Sequence, residues 1–203
     1  MRCILILFLI ISSAVTSQQS SSNAALSELI LDYTSVVYPS ESLNEFLYVG
    51  IRRQRMYYFK NNQIVSSYPI STSSKGAGNQ MGSYKTPTGL HQIAEKIGDN
   101  APLGTLFINK KNTGKVVPIN KSETPLKKDE ITSRVLSLKG LQQDVNKGKK
   151  YDTFSRGIYI HGTSDEASIG RPSSHGCVRM KNDDIMELFD LLSVGTKVVL
   201  LNN

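Results

Sequence analysis

Residues 157–162 read Gly-Ile-Tyr-Ile-His-Gly, and residues 173–180 read Ser-Ser-His-Gly-Cys-Val-Arg-Met. The first segment predicts a short apolar strand that delivers His161 at its end. The second segment places Cys177 directly after Gly176, and a glycine at that point permits a sharp turn that exposes the thiol and the amides beside it. A thiol, two histidines and a glycine-flanked turn are the components of a cysteine-nucleophile site.

The start of the chain predicts an export signal over residues 1–17. A positively charged start is followed by an apolar run at 4–11 and a region of mostly small residues at 12–17, which is the order of regions in a cleaved secretory signal. An uncleaved anchor is the alternative, but the apolar run is too short to span a bilayer easily. Cleavage removes Cys3 and leaves Cys177 alone, and a leftover cysteine in an exported protein indicates a reactive thiol or an intermolecular bond.

The charge balance is basic, with a formal net charge of +7 and many lysines between positions 110 and 150. A nucleic-acid partner is one interpretation of such a balance, but the export signal and the acids scattered among the lysines argue against it. An acidic extracellular polymer fits better, and a solvated lysine-rich surface is the default. No second apolar stretch approaches transmembrane length, so we expect no integral membrane segment after cleavage.

The rest of the chain predicts a leader with a short amphipathic helix over 18–45 and one domain over 46–203. Apolar residues from Leu26 to Val37 recur at helical spacing, and Asn61-Asn62 suits a tight turn between two strands. Strand-like runs lie at 46–51, 56–59, 63–70, 90–94, 105–109, 116–119, 135–138 and 196–201. Short strands at this spacing indicate a sandwich or a barrel.

A second helix is predicted after the cysteine. Asn182 or Asp183 can cap its start, Asp183 and Asp184 suit its positive N-terminal end, and Gly195 is the expected stop.

The residues around Cys177 favour acyl transfer through a thioester. A free thiol titrates near about 8.5, so a histidine within reach has to remove the proton and later return it to a leaving amine. Backbone amides beside the thiol can hold the oxyanion. Spacing does not decide whether His161 or His175 is the base. An inert buried cysteine and a zinc site formed by His161, His175 and Cys177 stay open, although the zinc site lacks an evident fourth ligand because His91 is distant in sequence.

Residues 156–162 and 169–180 together resemble the catalytic signature of the L,D-transpeptidases of the YkuD type, and the resemblance runs from about Phe46 to Leu201. It implies a mainly β, L,D-transpeptidase-like sandwich or barrel with a few short helices and the catalytic cysteine in a cleft. The lysine-rich stretch 97–154 is long for this pattern, and its architecture is not predicted.

The resemblance implies that peptidoglycan stem peptides are the substrate. Cys177 would attack the carbonyl of the third stem residue and expel the terminal D-alanine, and a side-chain amine of another stem would then take the acyl group in a 3-3 crosslink. His161 would be the base, with the Gly162 carbonyl orienting its ring. Ser174, His175 and Gly176 would form the turn that supports the nucleophile and the oxyanion site. Arg179 would position the site or bind the substrate carboxylate, and a structural ion pair is its other interpretation.

We therefore expect an exported cysteine L,D-transpeptidase in the periplasm or cell envelope of a bacterium, with no cofactor, no metal and no nucleic-acid partner. An L,D-carboxypeptidase, in which water is the acceptor, and an enzyme that attaches a lipoprotein to the wall would use the same site. A wall-binding protein without activity is the alternative from another class. The same resemblance points to carbapenems as compounds that acylate such a cysteine.

Overall fold

The computed structural model describes residues 23–126 and 129–203, so the predicted signal at 1–17 lies outside the described residues. Helix α1 spans 23–37, and α2 spans Asn182–Leu191. The strands are β1 Glu45–Gly50, β2 Arg55–Lys60, β3 Gln63–Ser71, β4 Gly89–Ile97, β5 Thr105–Ile108, β6 Lys111–Val116, β7 Ile131–Gly140, β8 Tyr159–Thr163, β9 Val178–Met180 and β10 Lys197–Leu201. Short 3₁₀ turns lie at Lys149–Tyr151 and Glu166–Ser168. In the described part of the chain, no helix combines the length and apolarity needed to cross a membrane.

The strands form one sheet that closes on itself. Its order is β4-β10-β1-β2-β3-β9-β8-β7-β5-β6, and β4 also pairs with β7. The pairing of β4 with β7 closes a ring of eight strands, in the order β4-β10-β1-β2-β3-β9-β8-β7. Strands β5 and β6 lie outside this ring and extend from β7. The mainly β, barrel-like architecture that the sequence predicts is confirmed.

Alternation along β1 divides the apolar residues between two faces of the sheet. Leu47 and Val49 belong to the interior cluster, which α2 also enters with its apolar side chains. Phe46 and Tyr48 point the other way and pack with Ile30 of α1. Successive residues of a strand face opposite sides of a sheet. The side chains of β1 therefore contribute to the interior cluster and to the cluster that packs against α1. Full burial of a side chain of this size stabilises the fold by about 1.5–3 kcal/mol.

The strand predicted at 116–119 is wrong in position. Asn109 and Lys110 adopt positive φ angles of 50° and 65°, and they turn the chain back directly after β5. The returning strand is therefore β6, which pairs with β5 from Lys111 onward and ends at Val116.

Asp183 and Asp184 lie in the first turn of α2 as predicted, but the predicted cap and stop residues are wrong. The N-cap position is Lys181, without a side-chain cap, and Asn182 is the first helical residue. The Asn182 side chain is buried against two hydroxyl groups of β7 and is not available as a cap. The Glu166 carboxylate instead accepts a 2.8 Å hydrogen bond from the Asn182 N–H, which satisfies the positive helix terminus from outside. The helix ends at Leu191, before the turn that contains Gly195.

The lysine-rich stretch 97–154 is built around the β5–β6 hairpin and β7. After the hairpin, the segment 117–126 runs beside the end of β8: Asn120 forms a bridge with Asp165, and the Leu126 N–H donates to the Asp165 carboxylate at 3.0 Å. This segment leads to Asp129, which the structure brings to the face of β8 and β9 described below.

Candidate active site

The pairing of β8 with β9 brings the candidate site residues to one face of the sheet. The two strands are parallel, and His161 is in register with Arg179 while Ile160 is in register with Val178. Ile160 and Val178 are fully buried in the interior cluster. Because neighbours in register share a face and successive residues alternate, His161, Arg179 and the preceding Cys177 lie on the opposite face.

Cys177 is partly buried and lies directly before β9. Its Sγ accepts a hydrogen bond from the Tyr159 N–H at 3.4 Å and donates to the Gly157 carbonyl at 3.5 Å. Burial raises the pKa of the thiol to about 11, and the charge of Asp129 adds to this rise. The Tyr159 N–H and the charges of Arg179 and Arg156 act in the opposite direction. The resting thiol is therefore protonated at neutral pH.

The imidazole of His161 is buried and has a defined tautomer. Its Nδ1 lies 2.7 Å from the carbonyl oxygen of Gly162. Because a carbonyl only accepts, Nδ1 carries the hydrogen and Nε2 keeps its lone pair. Burial lowers the pKa of His161, Asp129 and the Gly162 carbonyl oppose this effect, and Arg179 adds to it. His161 is therefore neutral at neutral pH, with Nε2 able to accept a proton.

Among the described residues, Cys177 and His161 make no direct hydrogen bond to each other. The thiol is bonded to the backbone of β8 and of the turn before it, and Nδ1 is bonded to Gly162.

Ser174 and Gly176 shape the turn before the cysteine. The Ser174 hydroxyl accepts from the Gly176 N–H at 3.2 Å and donates to the Cys177 carbonyl at 2.6 Å. Gly176 has a φ of 131°, and a Cβ added there would lie 3.0 Å from the Ile158 side chain. The Gly176 amide is thus engaged by Ser174. In the described part of the chain, the N–H groups of His175 and Cys177 have no backbone acceptor.

His175 is exposed on the outer side of the same turn. Its ring meets Tyr84 edge-on, with 6.3 Å between centroids, and Lys75 lies over the Tyr84 ring at 4.8 Å. A cavity of about 240 Å³ opens beside His175 and is lined by Met81, Gly82, Tyr84, Ser155, Arg156 and Ile158. The side chain of His175 therefore faces this cavity and its loop.

Arg179 is 2% exposed and is held by an acid and three hydroxyl groups. Its Nη1 pairs with Asp129 at 3.0 Å. Its Nη2 donates to the hydroxyls of Ser71, Ser168 and Ser173, and its Nε is buried without a partner among the described residues. The contacts agree with the ion-pair interpretation of Arg179, and its role in substrate binding stays a prediction.

Two charged residues whose charges act on Cys177 are missing from the predicted site residues. Arg156 donates from Nη1 to the carbonyls of Gly78 and Asn79 at 3.1 and 2.9 Å, which fastens the loop beside the cavity to the turn before β8. Its position directly before the apolar strand segment is a signal that could have identified it. Asp129 has no such signal, because it lies among lysines and far from the motif in sequence.

The fourth ligand considered for zinc, His91, lies elsewhere in the core. Its Nδ1 bonds to the Gly89 carbonyl and its Nε2 to the Thr153 hydroxyl, each at 3.0 Å. Burial lowers the pKa of His91 to about 4. Within residues 23–126 and 129–203, no three histidine, cysteine, aspartate or glutamate side chains are grouped as a metal site.

Comparison with protein families gives a match to the YkuD family, described as the L,D-transpeptidase catalytic domain, over residues 44–200. The curated relatives include the probable L,D-transpeptidase YcfS of Escherichia coli, 30% identical over 162 residues that cover 78% of this chain and 44% of that protein. They also include the probable L,D-transpeptidase ErfK/SrfK of Salmonella typhimurium, 26% identical over 80% of this chain and 46% of that protein. The chain thus spans less than half the length of these two relatives.

Among solved structures, Bd1075 of Bdellovibrio bacteriovorus superposes with a TM-score of 0.51 at 18% identity, covering 79% of this chain and 48% of that one. At this identity the likeness concerns the fold alone.

Proposed function

Because the chain belongs to the L,D-transpeptidase catalytic domain family, we propose that it is an exported peptidoglycan L,D-transpeptidase with Cys177 as nucleophile and His161 as base. The observation that carries this proposal is the β8–β9 register. It places the thiol of Cys177 and the imidazole of His161 on the same face of the sheet. The Nε2 of that imidazole is unprotonated. Acyl transfer requires a nucleophile and a base that are held near each other.

The first half-reaction forms a thioester. His161 Nε2 takes the thiol proton as Sγ attacks the carbonyl carbon of the third stem residue, and the carbonyl oxygen becomes an oxyanion. The N–H groups of Cys177 and His175 are the donors available to that oxyanion. Collapse of the tetrahedral intermediate breaks the peptide bond, and the imidazolium returns the proton to the departing amine of D-alanine.

The second half-reaction transfers the acyl group to an amine. The side-chain amine of a second stem attacks the thioester carbonyl, loses a proton to His161 and forms the 3-3 crosslink. The thiolate that leaves takes this proton back, so the enzyme ends in its starting state. If water occupies the place of the amine, the same steps give a tripeptide, which is the carboxypeptidase reaction.

The protonation states support a general-base mechanism rather than a standing thiolate–imidazolium pair. The pKa of Cys177 is raised to about 11 and the pKa of His161 is lowered, so both groups rest in their neutral forms. Proton transfer then accompanies attack, when the charge that forms on the substrate oxygen is met by the turn amides.

Incubation with purified disaccharide tetrapeptide, followed by mass spectrometry, tests the proposal. We expect a crosslinked dimer that has lost one D-alanine. Release of tripeptide alone would favour the carboxypeptidase, and transfer to an added lysine-ended peptide would favour lipoprotein attachment. If the folded, reduced protein gives no product and binds purified wall, the function is that of a wall-binding protein.

Export is a separate part of the proposal and rests on the first seventeen residues. The mass of the protein recovered from the cell envelope tests it. We expect a chain that begins at residue 18, and an uncleaved chain held in the membrane fraction would contradict cleavage.

A further inference from the structure

The face that carries Cys177 and His161 also carries an ion pair whose cation is buried. Arg179 is 2% exposed, whereas the side chain of its partner Asp129 keeps 28% of its surface exposed. The pair is adjacent to the base, because Arg179 is the residue in register with His161 across β8 and β9. Burying a guanidinium without a counter-charge destabilises the fold. The Asp129 carboxylate supplies that counter-charge to Arg179.

Asp129 reaches this face from outside the two strands. One carboxylate oxygen takes the 3.0 Å contact with Arg179 Nη1, and the other accepts a 2.5 Å hydrogen bond from the hydroxyl of Thr163. Thr163 lies two residues after His161 on β8, so its side chain is on the same face of that strand. Asp129 therefore joins β9, through Arg179, to the segment of β8 that carries the base.

The contacts continue from Arg179 to the nucleophile turn. Its Nη2 donates to the hydroxyl of Ser173, and the Ser173 N–H and the Ser174 N–H both donate to the Thr72 carbonyl at 2.8 and 2.9 Å. Ser174 in turn holds the Cys177 carbonyl. A displaced guanidinium would thus release one of the anchors of the turn that presents the thiol.

We propose that Asp129 is a positioning residue of the acyl-transfer site, which acts by holding and neutralising Arg179 between the base and the nucleophile turn. The proposal rests on the function proposed above. It assigns Asp129 no contact with the reacting atoms.

The charged and titratable groups around the two catalytic residues give this role a measurable consequence. They are Asp129, Arg179 of β9, and Arg156 and Tyr159 from β8 and the turn before it. Asp129 raises the pKa of His161 and Arg179 lowers it. When the carboxylate alone is lost, the hydroxyls of Ser71 and Ser168 still hold the guanidinium near His161, so the uncompensated cation should lower the pKa of His161 further. Loss of the guanidinium alone should raise it.

NMR titration of the imidazole signals in signal-cleaved protein tests this consequence, with His91→Gln and His175→Gln used to assign His161. Asp129→Asn keeps the shape of the side chain and its acceptor for Thr163 but removes the charge. We expect His161 to stay neutral to a lower pH in Asp129→Asn, to protonate at a higher pH in Arg179→Gln, and to return near wild type in the double variant. Asp144→Asn, which removes an exposed partner of Lys149, is the control and should leave His161 unchanged.

A role limited to packing predicts another pattern. Loosening relieves the burial of His161, so its pKa would rise in every variant. A rise in Asp129→Asn, or no change, overturns the proposal. This readout needs no turnover, so it separates a failure of the Asp129 proposal from a failure of the proposed function.

The rate of Cys177 acylation is the second readout. Misplacement of a catalytic group by about 1 Å costs about a hundredfold in rate, so we expect Asp129→Asn to acylate roughly ten- to a hundredfold more slowly than wild type. Asp129→Glu keeps the charge with a longer side chain, and we expect it to recover part of the rate and a near-normal His161 titration. An unchanged acylation rate in folded Asp129→Asn would contradict the proposal, and the Asp129→Glu result decides the matter if Asp129→Asn does not fold.

Discussion

The Nδ1 of His161 lies 2.7 Å from the carbonyl oxygen of Gly162, the next residue of the same strand. This bond fixes which ring nitrogen carries the hydrogen and leaves Nε2 as the acceptor. Gly162 has no room for a side chain, since a Cβ there would lie 2.7 Å from both the Asn182 Oδ1 and the Thr132 carbonyl. The imidazole of His161 is therefore oriented by backbone that packing holds in place.

We expect His161→Ala to slow the acylation of Cys177 far more than His175→Asn. General-base assistance contributes about 10²–10⁴-fold, and only His161 has a buried ring with a fixed tautomer on the face of the thiol. Single-turnover acylation measures both variants against wild type. The assignment of the base would be wrong if His175→Asn alone removed acylation while His161→Ala stayed near wild type.

The reactivity of Cys177 should rise with pH well beyond the range of an ordinary thiol. Only the thiolate is alkylated at a useful rate, and the pKa of Cys177 is raised to about 11 by burial. The iodoacetamide rate of the signal-cleaved protein should therefore still increase above pH 9, whereas the same protein in denaturant should level off near its ordinary pKa of about 8.5. A native profile that levels off below pH 8 would indicate a standing thiolate and contradict the general-base mechanism.

Gly176→Ala should slow the acylation of Cys177 strongly and lower the thermal stability only moderately. Its φ of 131° is unfavourable for alanine, and the new Cβ would meet the Ile158 side chain at 3.0 Å, so we expect strain of about 1–3 kcal/mol and a displaced thiol. Gly114→Ala is the matched control, because Gly114 also has a positive φ, of 73°, but no described atom within 4 Å. Thermal unfolding and acylation are measured on both variants, and equal acylation rates would show that the turn tolerates a side chain.

Acid should destabilise the fold through His91. Its pKa is lowered to about 4 by burial, against about 6.5 for an exposed histidine, so the unfolded chain binds a proton in the range where the folded chain does not. The contribution of His91 to the free energy of unfolding is fully present above pH 6.5 and is lost as the pH falls to 4. This contribution is at most about 3 kcal/mol. Denaturant unfolding from pH 7 to 4 should show a shallower loss for His91→Gln than for wild type. Equal slopes would mean that another group causes the acid loss.

The sequence predicts most strands because their apolar residues alternate or cluster within short runs. Asn61 and Asn62 adopt the positive φ angles of 51° and 62° that suit a tight turn, and the turn between β2 and β3 forms as predicted. The local sequence pattern does not predict an element correctly where contacts with distant residues determine its position. The start of α2 depends on Glu166, which lies sixteen residues before it, and the position of β6 depends on a turn at Asn109 and Lys110.

The candidate site divides in the same way. Cys177, His161, Gly162 and the Ser174–Gly176 turn lie in two short motifs, and the resemblance of those motifs to the family signature predicts them as site residues. Asp129 and the hydroxyl groups around Arg179 come from separate strands and loops, and only the folded sheet brings them together. Residue spacing alone leaves the base open between His161 and His175, whereas the family resemblance implies His161. The contact of His175 with Tyr84 is visible only in the fold.

Covalent labelling with a carbapenem tests the central claim most directly, because opening of the lactam needs the same thiol, base and amide donors as thioester formation. Intact-protein mass spectrometry of the folded, reduced protein should show a single adduct, which peptide mapping places on Cys177. Folded Cys177→Ala, the matched control, should show none. A folded wild-type protein that gives no adduct after prolonged exposure, or an adduct that persists in Cys177→Ala, would contradict acyl transfer at this site.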